Sequence, residues 1–138
     1  YNVPHVHTYT RIYIGNFDYM FTAKENDMRE SSIESKFRDE VKKVGGTAYK
    51  FVSPGNAGVP DRVVTLQGGK SGFVELKRPG EKTTPLQKVQ IRKILATGCY
   101  ATVLDNKKDI DRVIWEIEAW NPGKSLDKIT ELEQRGMI

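Results

Sequence analysis

The chain has 138 residues, a formal net charge of +4, 38% hydrophobic residues and 29% charged residues. This composition is typical of one soluble globular domain and excludes a disordered chain, and no apolar run approaches the roughly 18 residues that span a bilayer. Because Cys99 is the single cysteine and no signal-peptide pattern stands at the amino end, we expect a cytoplasmic, intracellular protein.

Residues 1–30 are rich in tyrosine and phenylalanine and are interpreted as an N-terminal extension of unclear role. His5 and His7 could ligate a metal, although a histidine pair near a terminus is far more often inert. Met28 could be an internal start site, which would make everything upstream of it an extension.

A first helix of about 13 residues is predicted between Ser31 and Gly45. Ser31 and Glu34 fit a capping box, and apolar residues then recur at helical spacing. Glu34 has two interpretations: it either completes the cap or reaches, from the edge of the buried face, toward acids elsewhere in the chain. From the helix alone we favour the cap.

One strand, a loop and a β-hairpin follow this helix. Residues 47–52 predict a strand and residues 53–58 a loop, since proline and two glycines remove helix and ladder hydrogen bonds. The segment 58–77 then reads as a β-hairpin that reverses at Gln67-Gly68-Gly69-Lys70. Glu75 and Lys77 share one strand face. Asp61 joins them if the register sets it beside Glu75, since a slip of one residue would turn one acid away.

A second helix is predicted to begin at Thr84, with Pro85 at its first position and Gln87 three residues after the cap. Gln87 serves either as a capping-box partner or to orient a phosphate, a water or the lysine. Residues 100–104 predict a buried strand, Asp109 a capped helix, and Ser125 the start of a last amphipathic helix. The element order predicts an α/β fold with a central mixed sheet and helices on both faces.

Asp61, Glu75 and Lys77 place two carboxylates and an ammonium together, without histidine or cysteine. Carboxylate oxygens without softer ligands suit Mg²⁺ or Mn²⁺ and favour phosphodiester hydrolysis over zinc or thiol chemistry. Between residues 70 and 93 lie seven basic and two acidic residues, a surface that would attract a polyanion. The same charges also fit a solvated helix face, and hairpins often carry ion pairs on the side exposed to water.

Pro60-Asp61 followed by Glu75-Leu76-Lys77 resembles the PD-(D/E)XK nuclease signature, with Glu75 in the variable acid position. The wider pattern resembles the VRR-NUC family of that superfamily over roughly residues 33–114. The matching segments are Gly45-Gly46, Tyr49-Lys50, Gly58-Val59-Pro60-Asp61-Arg62, Phe73-Val74-Glu75-Leu76-Lys77 and Pro85-Leu86-Gln87. A bare acid-acid-lysine set is weak, whereas the ordered set is specific.

The resemblance implies a restriction-endonuclease-like α/β/α core, dependence on Mg²⁺ or Mn²⁺, and DNA as the substrate. The implied catalytic residues are Glu34, Asp61, Glu75, Lys77 and Gln87. The implied metal ligands are Glu34, Asp61, Glu75 and the carbonyl of Leu76. Small phage-type members resemble Holliday-junction resolvases and act as homodimers, which implies branched DNA and two active sites.

The expected domains are an extension at 1–30, a nuclease domain at 31–120 and a C-terminal helix at 121–138. The DNA contacts predicted from charge are Lys50, Arg78, Lys82, Lys88 and Arg92. The leading interpretation is a metal-dependent endonuclease that acts in DNA repair or junction processing, either in a cell or for a phage in its host. The alternative is a DNA-binding module that keeps the fold but does no chemistry.

Overall fold

A computed structural model describes residues 32–138, in which the main elements follow the order helix, three strands, helix, strand and two helices. The strands are β1 (Thr47–Lys50), β2 (Arg62–Leu66), β3 (Lys70–Leu76) and β4 (Ala101–Leu104). The helices are α1 (Ser32–Lys43), α2 (Pro85–Ala96), α3 (Ile110–Glu118) and α4 (Ser125–Gln134).

The sheet has the order β1-β2-β3-β4 and is mixed. β1, β2 and β3 are antiparallel neighbours, while β4 runs parallel to β3 and is reached through α2. The hairpin reverses through a short 3₁₀ turn at Gln67–Gly69, where Gly68 and Gly69 take φ values of 82° and 75° that other residues adopt at a cost. The predicted central mixed sheet is confirmed.

Apolar residues fill both sides of the sheet and divide the core into two layers. On one side α1 and α3 cover β2 and β3, with Phe37, Val64 and Ile117 fully buried. On the other side α2 and α4 cover β3 and β4, with Ile91, Leu95 and Leu132 fully buried. Helices on both faces confirm the predicted α/β/α architecture. Residues 121–138 contribute to the second layer, and their treatment as a separate segment stays a prediction.

Some local expectations differ from the structure. β1 ends at Lys50 rather than at residue 52, and one further bond, from the Phe51 N–H to the carbonyl of Asp61, closes the entrance of the loop. Asp109 makes no side-chain cap; Asn106 caps a preceding 3₁₀ turn instead. Two large apolar side chains of the last two helices, Leu126 and Trp115, are 75% and 61% exposed.

Ser31, His5, His7 and Met28 lie outside the described residues, so their predicted roles stay predictions. Among residues 32–138, none of the helices is of a length and apolar character that would let it pass through a bilayer.

Candidate active site

The hairpin register brings the two predicted acids together. Arg62 of β2 pairs with Val74 of β3, and the next position outward therefore places Asp61 opposite Glu75. The Asp61 carboxylate accepts a hydrogen bond of 2.9 Å from the backbone N–H of Leu76. This bond holds Asp61 against the end of β3, so the register that the sequence required is confirmed.

Glu75 is the buried member of the pair, with 2% of its surface exposed. Its Oε2 atom accepts a hydrogen bond of 2.9 Å from Gln87 Nε2 and lies 3.7 Å from Lys77 Nζ. Its Oε1 atom is also buried and has no hydrogen-bond partner within residues 32–138. A buried carboxylate oxygen without a partner is costly, so this atom is suited to receive a ligand.

Gln87 combines the two roles that the sequence left open. Thr84 accepts a hydrogen bond from the Gln87 backbone N–H, and the Gln87 side-chain oxygen accepts one from the Thr84 N–H. The remaining amide Nε2 then points to Glu75. Because the capping box fixes the side chain at the start of α2, the helix terminus orients the buried carboxylate.

Gly58 lets the loop before Asp61 pass close to this helix terminus. Its φ is +90°, and a Cβ at this position would lie 2.6 Å from the backbone carbon of Leu86 and 2.9 Å from the Gln87 nitrogen. The next residue back, Ala57, accepts a hydrogen bond from Gln90 at 3.3 Å. The loop that delivers Asp61 is thus packed against the helix that carries Gln87.

Glu34 is held by a residue that the sequence-based assignment missed, Arg62. The Arg62 guanidinium donates to Glu34 Oε2 at 2.9 Å and to the carbonyl of Ala48 at 3.2 Å, and Arg62 is 4% exposed. A charged residue at a buried position of an apolar strand was the available signal, since such a charge requires a partner. Glu34 is part-buried in this pair. Its assignments as a catalytic residue and as a metal ligand stay predictions.

Across residues 32–138 no three His, Cys, Asp or Glu side chains converge in an arrangement that could hold a metal. The acids that the structure brings together are Asp61 and Glu75. Two carboxylates are nevertheless a donor set that fits Mg²⁺ or Mn²⁺, which keep several waters and bind one or two protein carboxylates. The unpartnered, buried Oε1 of Glu75 is the observation that supports this fit.

Comparison with known proteins agrees with this geometry. No protein-family model matches the chain. A phage protein named "Putative nuclease p44", from Acyrthosiphon pisum secondary endosymbiont phage 1, is 54% identical over 80 residues, which are 58% of this chain and 86% of that protein. A solved structure of a VRR_NUC domain matches with a TM-score of 0.57 and 26% identity, over 59% of this chain and 89% of the other. The chain belongs to the VRR-NUC nuclease family.

The basic residues of this VRR-NUC nuclease that were predicted to contact DNA fall into two groups. Lys50 and Arg78 are exposed. Lys82, Lys88 and Arg92 instead bond to the end of α4 and the turn beyond it: Lys82 to the carbonyl of Arg135, Lys88 to that of Gly136, and Arg92 to the Glu133 carboxylate. These three side chains contact the C-terminal segment from α2 and the loop before it. Their assignment as DNA contacts stays a prediction.

The metal-free site favours a protonated Glu75. Burial and, to a smaller extent, the nearby Asp61 charge together raise the pKa of Glu75 to about 8, although Lys77 opposes the shift. A free carboxylate has its pKa near 4.5. The folded protein therefore binds this proton more tightly than the unfolded chain does.

Stability in EDTA is expected to fall as the pH rises from about 4.5 to about 8, and to level off above that range. The reason is that ionised Glu75 is tolerated in the unfolded chain but not in the buried site. The measurement is the free energy of unfolding of wild type minus that of Glu75→Gln at each pH, which cancels groups common to both. A difference that stays flat, or that grows in favour of wild type with pH, would contradict the assigned environment of Glu75.

Replacing Gly58 with alanine is expected to reduce both stability and nuclease activity, because its Cβ would push on the backbone at Leu86 and Gln87. Gly55 is the matched control, since it has a φ of +82° in the same loop but open space around a Cβ. Gly55→Ala should carry only the backbone strain of about 1–2 kcal/mol. Urea unfolding and DNA nicking measure the two variants, and equal effects would remove the packing role of Gly58.

Proposed function

We propose that this protein is a metal-dependent DNA endonuclease that hydrolyses phosphodiester bonds at the site formed by Asp61, Glu75 and Lys77. The observation that carries the proposal is the Asp61–Glu75 pair beside the nearly buried side chain of Lys77. The buried Oε1 atom of Glu75 has no hydrogen-bond partner among the described residues. The nuclease name of the phage relative supports the reaction type.

The proposed ligands of Mg²⁺ or Mn²⁺ are Asp61, Glu75 and the main-chain carbonyl of Leu76, with Glu34 as a further candidate. When bound, such a cation would activate a water and offset charge that develops on the phosphate. The Leu76 N–H keeps Asp61 facing the site, and Gln87 keeps Glu75 in one rotamer. Among the five proposed catalytic residues, Gln87 therefore acts by positioning Glu75.

Lys77 supplies a positive charge from the protein itself, in addition to the charge of a bound cation. Its side chain is 9% exposed and its ammonium lies 3.7 Å from Glu75. Low exposure reduces screening, so this charge interacts strongly with the phosphate or with the attacking water. Because its ammonium lies beside a proposed metal ligand, we assign Lys77 to electrostatic stabilisation of the phosphate rather than to proton abstraction.

The finer parts of the proposal are a branched substrate, such as a Holliday junction, and a homodimer. Their support is the resemblance to small phage-type members of the family and the phage origin of the matched relative. Two copies related by a two-fold axis would present two sites and cut two strands. We place the activity in residues 31–120 and in the cytoplasm of the cell.

A circular single-stranded DNA and a panel of labelled linear, flapped, forked and four-way DNAs test the proposal. The circle has no ends, so its cleavage in Mn²⁺ but not in EDTA identifies an endonuclease. We expect the branched DNAs to be cut faster than a linear duplex of the same sequence. Binding to all DNAs with no cleavage in either metal would favour the non-catalytic DNA-binding module instead.

The homodimer is measured separately by sedimentation velocity at several concentrations. A monomer that still cuts junctions would remove the dimer from the proposal and leave the endonuclease intact. Cleavage of every DNA at the same rate would remove the branched substrate in the same way.

A further inference from the structure

A cleft of about 430 Å³ lies beside the candidate active site, where the parallel strands β3 and β4 end. The Lys77 N–H donates to the carbonyl of Leu104 at 2.9 Å, which sets the ends of β3 and β4 side by side. Arg78 comes two residues after the end of β3. The residues that line the cleft are Ser32, Ile33, Arg78, Pro79, Asn106 and Lys107.

The charge of this cleft is positive and not neutralised by the part of the chain that the structure describes. Arg78 and Lys107 are its two charged lining residues, and both are exposed. Within residues 32–138 neither the Arg78 guanidinium nor the Lys107 ammonium makes a hydrogen bond or an ion pair. Three acids close to them in sequence have other partners: Glu81 accepts from the Arg78 backbone N–H, Asp105 pairs with Arg135 and Asp109 pairs with Arg112.

Three of the other basic residues that were predicted to contact DNA have their side chains held within the protein. Lys82, Lys88 and Arg92 have partners at the end of α4, as described above. Arg78 and Lys107 have none among the described residues and share one concave surface. α1 begins at Ser32, on the wall of the cleft, and the positive end of its dipole adds to the same field.

We propose that this cleft is a subsite for a backbone phosphate of the nucleic-acid strand that occupies the active site, with Arg78 and Lys107 as the groups that bind it. The chain passes from Lys77 in the site to Arg78 in the cleft within one residue, so one strand can contact both. This inference rests on the proposed function, because it takes the substrate to be a nucleic acid. It also assigns a phosphate contact to Lys107, which lies outside the basic segment 70–93.

Fluorescence anisotropy with a fluorescein-labelled four-way DNA tests the subsite, in an Asp61→Asn background and in EDTA so that the DNA stays intact. Arg78→Ala and Lys107→Ala are each expected to weaken binding about fivefold. Each should also reduce the slope of log affinity against log salt by about 1, as expected for one lost phosphate contact. Lys107→Arg should restore most of the affinity.

Lys108→Ala is the matched control. Lys108 carries the same charge in the same 3₁₀ turn and is exposed, but it does not line the cleft. It should change the affinity less than twofold. The subsite alone would be overturned if Lys107→Ala and Lys108→Ala lost the same amount of DNA affinity. It would also be overturned if the parent protein bound DNA and neither Arg78→Ala nor Lys107→Ala weakened that binding. A parent protein that binds no DNA overturns the proposed function and the subsite together.

Discussion

Asp61→Asn and Glu75→Gln are each expected to reduce DNA cleavage in Mn²⁺ by about 10³-fold or more, the scale seen when a central electrostatic or catalytic group is removed. Asn and Gln keep the shape of the side chains but remove the negative charge that a divalent cation requires. The measurement is the initial nicking rate of a circular DNA, with Mn²⁺ affinity by titration calorimetry on the same variants. Both affinity and rate should fall together.

The Glu75→Gln variant should separate an effect on cleavage from an effect on the stability of the fold. Since the metal-free site favours protonated Glu75, Glu75→Gln should unfold in EDTA at pH 8 at a urea concentration equal to or above that of wild type. Glu118→Gln is the control, because Glu118 is an exposed acid at the end of α3. A Glu75→Gln variant that is folded and still cleaves at the wild-type rate would remove Glu75 from the site.

Local sequence signals predicted most of the site because its parts are close in sequence. Asp61 and Glu75 flank one hairpin, whose glycine turn and alternation of apolar residues predicted the two strands, while the register that sets the acids side by side comes from the structure. Gln87 was placed by a capping box whose two members, Thr84 and Gln87, are three residues apart. In each case short-range geometry fixes the side chain, and the structure agrees with it.

Contacts between distant parts of the chain could not be predicted in this way. Arg62 and Glu34 are 28 residues apart, and Lys82 and Arg135 are 53 apart. A run of basic residues in a sequence does not show which members are bound within the protein. Lys82, Lys88 and Arg92 were predicted to contact DNA from their charge, and the contacts that they also make with the C-terminal segment were not foreseen.

Glu34 has a structural role as the partner of Arg62 and a proposed catalytic role. Substitutions of Arg62 and Glu34 can separate these two roles. Arg62→Met should lower the free energy of unfolding by about 3 kcal/mol or more, since it removes the buried guanidinium that bonds to both the Glu34 carboxylate and the Ala48 carbonyl. Glu34→Gln should cost less, because an amide oxygen can still accept the Arg62 hydrogen bond. Urea unfolding of both variants and of the double variant gives the coupling energy between the two residues.

Glu40→Gln is the matched control on the same helix, since Glu40 pairs with the exposed Lys36 and Lys43 rather than with a buried arginine. It should shift the urea midpoint much less than Arg62→Met does. Nuclease rates then assign Glu34. If Glu34 acts through Arg62, cleavage by Glu34→Gln stays within several-fold of wild type when the protein is folded, and Mn²⁺ affinity is unchanged. A ligand role requires both cleavage and Mn²⁺ affinity to fall far more than the stability of the variant explains.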